Sequence, residues 1–173
     1  MKNNKGFTKY SRVSLFFILI VSATLAGCKK ADTMKPITQI TSISESGTIL
    51  PELQWHEEFI ILQKSIIFTR SGNADTSEVN AGRWSVPFET AALADLFATL
   101  ENVDLSKIER IQPLDQPDGG GSEYYQLTYS NNKTWSLEYS LGATYTNGEL
   151  ITQPVQDFIR TLQLPTEAAN RHK

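Results

Sequence analysis

Glu123-Tyr124-Tyr125-Gln126-Leu127-Thr128-Tyr129-Ser130-Asn131-Asn132-Lys133-Thr134-Trp135-Ser136-Leu137-Glu138-Tyr139-Ser140-Leu141 alternates apolar and polar residues twice, with an Asn-rich break between the runs. Successive side chains of a strand point to opposite faces. Tyr125, Leu127 and Tyr129 therefore share one face of a first strand, and Trp135, Leu137, Tyr139 and Leu141 share one face of a second. Period two of this kind marks half-buried antiparallel strands joined by a tight turn. Asn147-Gly148, between Thr144-Tyr145-Thr146 and Glu149-Leu150-Ile151, is the residue pair favoured by type I′ hairpin turns. The expectation is a meander of three or four strands.

Upstream, Trp55, Phe59 and Ile61 fall on one period-two face that Glu57 interrupts, giving a strand near 53–62. Ile66-Ile67-Phe68-Thr69 has the β-branched and aromatic composition of a second strand ending near Arg70. The polar residues 71–82 read as a long loop, and Arg83-Trp84-Ser85-Val86 as a brief return strand. Ile37, Ile40 and Ile43 do not alternate cleanly, so 37–43 offers only a short edge strand.

Pro87 suits a first helical turn, and Phe88, Ala92, Leu96, Leu100 and Val103 recur at spacings of three or four, with Leu93 and Phe97 widening the stripe. Ile108-Glu109-Arg110-Ile111 reads as a strand before the breaker cluster at 113–122. Pro154 opens a last helix with Val155, Phe158, Ile159 and Leu162 on one side, and Pro165 prevents its continuation. These elements predict an α+β fold, a small single domain with an antiparallel β meander and two separated amphipathic helices on one sheet face.

The first 27 residues contain four bases and no acid. The 146 residues that follow carry twelve bases and nineteen acids, a net charge of −7, which disfavours nucleic acid as a partner. The basic start, from Lys2 to Arg12, leads into an apolar run over 13–26 and then Gly27-Cys28, the three-part plan of an export signal. Fourteen residues make about 21 Å of helix, short of a hydrocarbon core of roughly 30 Å.

Leu25-Ala26-Gly27-Cys28 resembles the lipobox of bacterial lipoprotein precursors. The resemblance covers residues 1 to about 30. It implies cleavage between Gly27 and Cys28 and attachment of lipid to the thiol of Cys28, the sole cysteine of the chain. It further implies three acyl chains, and more than one chain makes a stable membrane anchor. In Gram-negative members an Asp after the lipidated Cys commonly signals inner-membrane retention. Lys29 stands there, implying the outer membrane if the host is Gram-negative. Lys29 and Lys30 would also be drawn to anionic headgroups, by about 1 kcal/mol each. The expected organisation is a signal peptide over 1–27, a lipidated Cys and flexible tether over 28–47, a globular domain over 48–165, and a loose tail over 166–173.

Within the domain, His56-Glu57-Glu58 is the one place where a histidine sits among carboxylates. As a strand it would set His56 and Glu58 on one face, two ligands where a metal site needs three or four. The segment 115–123 joins Asp115, Asp118 and Glu123 to three glycines, a combination able to offer oxygen ligands to calcium or to form a flexible acidic turn. Tyr124 and Tyr145 are candidates for an aromatic binding surface. There is no Gly-x-Ser-x-Gly elbow, and no second thiol or central second histidine to complete a nucleophilic relay.

The functional expectation is a membrane-anchored bacterial envelope lipoprotein with a non-catalytic binding or accessory domain and no cofactor. Its partners would be the membrane, through Cys28, and an envelope protein or glycan. Two alternatives stand beside it: a glycan- or calcium-binding module, and a hydrolase using a carboxylate pair.

Overall fold

The computed structural model describes residues 36–115, 120–140 and 142–168. Along the chain, β1 (Ile37–Glu45), β2 (Trp55–Leu62), β3 (Ser65–Gly72) and β4 (Gly82–Ser85) are followed by α1 (Thr90–Glu101) and β5 (Glu109–Ile111). Then come β6 (Ser122–Tyr129), β7 (Thr134–Tyr139), β8 (Thr144–Thr146) and α2 (Glu149–Arg160). Six strands form an antiparallel sheet in the order β4-β3-β2-β1-β6-β7, and β5 pairs antiparallel with β8. The protein is thus an α+β domain.

The hairpin read from residues 123–141 is β6 and β7, turning at Asn131-Asn132 with Asn132 at φ 62°. The four-strand meander, however, is β1 to β4 rather than a continuation of this hairpin. β1, expected inside the tether and at most as an edge, lies between β2 and β6. Its irregular pattern has a physical cause. A register shift between Ile37 and Gln39 breaks the alternation, so that Ile37 and Ile40 are both fully buried despite their odd spacing.

The turn expected at Asn147-Gly148 does not form. Asn147 keeps a positive φ of 55°, but Gly148 sits at φ −61° and ψ −29°, and a type I′ turn needs positive φ at both. Thr144–Thr146 pairs with β5, and Glu149 starts α2. Burial decides this, because in a helix Ile151 joins Val155 and Phe158 on one buried stripe. Pro154, expected to open that helix, lies inside it. Pro87 likewise precedes α1 rather than beginning it, since Val86 is still bonded through its N–H to the Ile66 carbonyl of β3.

Ile40, Ile61, Ile66 and Leu127 meet in cross-strand register, as do Phe59, Phe68 and Trp84. These residues share one buried core with Leu93, Leu96, Phe97 and Leu100 of α1 and with Ile151, Val155 and Phe158 of α2. The opposite face carries Thr41, Ile43, Ile60, Ile67 and Tyr124, none of which belongs to that core.

The segment after α2, expected to be loose from residue 166, is tied down as far as Ala168. Arg70 donates to the carbonyls of Pro165 and Thr166 at 3.2 and 2.8 Å, and Val79 bridges Ala168. Where the chain enters the sheet it is held equally firmly. The Ile37 N–H donates to Glu101 Oε1 at 2.9 Å, and its carbonyl accepts from Gln63 Nε2 at 3.1 Å.

Candidate functional site

The core face of the sheet turns polar toward one end. Along β1, Ile40 gives way to Ser42 and Ser44; β2 passes from Phe59 to Glu57 and Trp55; β6 passes from Tyr125 to Glu123. Polar residues at core-facing parity are costly to a fold unless they are paired or used. The register sets Ser44 opposite Glu57 on one side and Glu123 on the other. With strands about 4.8 Å apart, the backbones of the two glutamates stand roughly 10 Å apart across the serine.

Two adjoining cavities occupy this end. One, of about 200 Å³, is lined by Ser42, Ser44, Glu57, Phe59, Glu123 and Tyr125 of the sheet, by Gln156, Ile159 and Arg160 of α2, and by Leu164. The other, of about 430 Å³, is lined by Ser44, Glu45, Trp55, Gly121, Ser122, Glu123 and Tyr139. Ser44 and Glu123 line both, so the two cavities adjoin at these residues and together make up the cleft end of the sheet.

Its carboxylates are each held differently. Glu57 Oε1 accepts from Arg70 Nε at 2.6 Å, and the arginine, 4% exposed, lies 4.9 Å from the centre of the Phe68 ring. Glu123 Oε2 accepts from the Tyr125 hydroxyl at 2.7 Å and from Gln156 Nε2 at 3.2 Å. Gln156 also donates to the Tyr125 hydroxyl at 2.8 Å. Burial first, and then the hydrogen bond to Glu123, push the Tyr125 phenol far above its ordinary range, so it stays a donor. Among the described residues, Glu57 Oε2 and Glu123 Oε1 accept no hydrogen bond.

Trp55 completes the cleft. Trp84 and Trp135 pack against the core, whereas Trp55 does not and leaves its ring as a cleft wall. Across from it Tyr139 is held edge-on by Tyr125 and Tyr145, with ring centres 6.3 and 5.1 Å away.

The glycines beside the cleft serve backbone contact. A Cβ on Gly47 would lie 2.6 Å from the carbonyl carbon of Gly120, and one on Gly121 would lie 2.6 Å from the Glu45 oxygen. They let residues 120–121 press on the β1–β2 connection, in a stretch where the sequence offered either a flexible acidic turn or a ligand loop.

The residues singled out from sequence are dispersed. Gly27, Cys28 and Asp118 lie outside the described residues, and Asp115 is exposed. Glu123 is in the cleft. Tyr124 is on the other face of the sheet, its hydroxyl donating to Gln126 Oε1 at 2.8 Å. The Tyr145 hydroxyl is taken up by the outer edge of β7, accepting from the Glu138 N–H at 3.0 Å and donating to the Glu138 carbonyl at 3.3 Å. Tyr124 and Tyr145 therefore form no common surface.

His56 and Glu58 share a face as expected, and it is the face turned away from the core. His56 Nδ1 donates to Glu45 Oε1 at 2.8 Å, and the Ser122 hydroxyl donates to Glu45 Oε2 at 2.9 Å. The His56 bond foremost, and then that from Ser122, hold the Glu45 carboxyl below the usual carboxylate range. Among the described residues no group of three or more His, Cys, Asp or Glu is placed to hold a metal ion.

Sequence reading missed Ser44, Trp55, Glu57, Tyr139 and Gln156 as a group. The signal was present in Glu57, which breaks an apolar alternation, and in Glu123, which shares the parity of Tyr125 and Leu127. No family model, no curated protein and no solved structure matches the chain. Among the described residues no helix is long and apolar enough to cross a membrane.

Proposed function

We propose that the protein is a lipoprotein of the bacterial cell envelope, cut between Gly27 and Cys28 and anchored through lipid on Cys28. In a Gram-negative host, Lys29 would direct it to the outer membrane. Its domain, with both helices covering one sheet face, is a non-catalytic binding module that takes a polar envelope component into the cleft. The observation that carries this reading is the pairing of the Trp55 ring with two carboxylates, Glu57 and Glu123, each holding one oxygen free among the described residues.

Two further features support it. Glu57 is tied to Arg70, and His56 stands on the opposite face of the sheet from Ser44, an arrangement suited to recognition rather than to a proton relay. β1 also separates Ile37, nearest the anchored end, from Glu45 beside the cleft by about 26 Å at 3.3 Å per residue. The cleft therefore lies at the end of β1 remote from the point where the segment bearing Cys28 joins the domain.

Two measurements test the reading. Cys28→Ala in the full chain is expected to accumulate as uncleaved precursor without lipid mass, and normal processing there would refute the anchor. Crosslinking in whole envelopes is expected to capture one saturable component from the wild type, lost in Trp55→Ala and in Glu123→Gln. Turnover of an envelope substrate at an ordinary enzymatic rate would overturn the non-catalytic assignment.

A further inference from the structure

We infer that the cleft recognises an uncharged pyranose ring of a glycan chain, stacked on Trp55 and hydrogen-bonded to Glu123 and Ser44. This rests on the reading of the cleft as a binding site and adds the chemical class of its ligand.

Three observations select that class. The first is shape, since about 430 Å³ adjoining a second cavity of about 200 Å³ matches a small-molecule site and leaves room for more than one ring. The second is the flat apolar surface of Trp55, a half-buried residue that lines the larger cavity and is not among those packed against the core. A sugar presents such a surface in kind, because the axial C–H groups of one ring face form an apolar patch while its hydroxyls point outward around the rim.

The third is the mixture of hydrogen-bonding groups. Glu123 Oε1 accepts only, the Ser44 hydroxyl gives and accepts, and the Trp55 indole N–H gives only. A sugar hydroxyl gives and accepts, so the ring stacked on Trp55 can serve Glu123 and Ser44, and a hydroxyl of the next ring the indole N–H, which lies in the plane of the Trp55 ring. A lysine ammonium, the other ligand that carboxylates and a tryptophan attract, has no acceptor to offer the indole N–H or the serine. Charge disposes of acidic sugars and phosphates. Glu57 and Glu123 line the cleft, Arg70 is buried against Glu57, and Arg160 is paired with Asp157 at 2.7 Å. An anion would meet repulsion, and both arginines near it, Arg70 and Arg160, already hold a carboxylate partner.

The test is a tryptophan-fluorescence titration of the full-length protein in detergent. The probes are neutral tetrasaccharides of N-acetylglucosamine, glucose, galactose and mannose, with tetragalacturonate and tetralysine as charged counterparts. At least one neutral tetrasaccharide is expected to change the emission saturably, with affinity at least tenfold weaker in Glu123→Gln. For Trp55→Phe, which lacks the reporting ring, isothermal titration calorimetry is expected to show at least the same loss, and tetragalacturonate is expected not to bind. Gln keeps an acceptor for the Tyr125 hydroxyl and Phe keeps a ring, so both variants are expected to retain the wild-type circular dichroism. Saturable binding of tetralysine without any neutral sugar overturns the glycan assignment and leaves a binding cleft standing. Preference for tetragalacturonate overturns it also. Silence with every probe overturns it as well, and the binding reading falls with it only if envelope crosslinking is unaffected by the same two substitutions.

Discussion

Arg70 Nε lies 2.6 Å from Glu57 Oε1, with 3% of the arginine side chain exposed and 18% of the glutamate. The same guanidinium donates to the carbonyls of Pro165 and Thr166, so one buried cation fastens the cleft floor and the segment following α2. Removing one partner of a buried pair leaves an uncompensated charge, which costs about 3–5 kcal/mol. Arg70→Met is expected to destabilise the protein by that order in a urea titration. Glu57→Gln keeps an acceptor but leaves Arg70 as a buried charge without a counter-charge, and is expected to cost a comparable amount.

Glu45 makes the opposite face sensitive to acid. Its carboxyl titrates below the ordinary value because His56 and Ser122 both donate to it. A carboxylate with a depressed folded-state pKa contributes stability that is present above its unfolded value and is lost as pH falls through the folded one. The urea midpoint is therefore expected to fall as pH drops below about 4.5. Glu45→Gln should reduce that slope, and an unchanged acid limb would show that the His56–Glu45 bond contributes nothing to stability.

Tyr145 stands in for a missing strand. Its hydroxyl takes both backbone groups of Glu138 on the free edge of β7. Edge strands that offer unpaired N–H and C=O groups template association with other chains. Tyr145→Phe is expected to lose about 1 kcal/mol, the net worth of an ordinary hydrogen bond. Amide exchange should locate the change, with protection of the Glu138 N–H falling well before that of the Leu137 interior.

Gly121 and Gly47 define how closely the loop before β6 approaches the β1–β2 connection. A methyl group on Gly121 would meet the Glu45 carbonyl oxygen, and one on Gly47 would meet the backbone of residues 120 and 121. Backbone cannot swing aside as a side chain does, so each alanine substitution is expected to cost about 1–3 kcal/mol. Gly121→Ala should also perturb the Trp55 emission, since Gly121 and Trp55 line the same cavity. Gly120→Ala is a control of another kind: it meets no neighbour within 4 Å and is strained only through its φ of +118°.

The locally written part of the fold lies in short-range patterns. Tyr125, Leu127, Trp135 and Leu137 alternate strictly around Asn131-Asn132, and β6 and β7 pair as that alternation requires. Leu93, Leu96, Phe97 and Leu100 repeat at helical spacing, and α1 buries all four. The reason is that a strand or helix face is written by residues at most a few positions apart.

The remainder depends on contacts between distant segments. β1 became central because strands from both sides, β2 and β6, satisfy its backbone, and its bulge hid the period that would have marked it. Ile151 entered a helix against the turn signal of Asn147-Gly148 because the core offered it complete burial beside Val155. The cleft is the furthest from local: Ser44, Glu57 and Glu123 come from three strands, and Gln156 from a helix. Each looks like an ordinary polar residue in its own segment. Only strand register brings them side by side, and register is a property of pairs of distant segments.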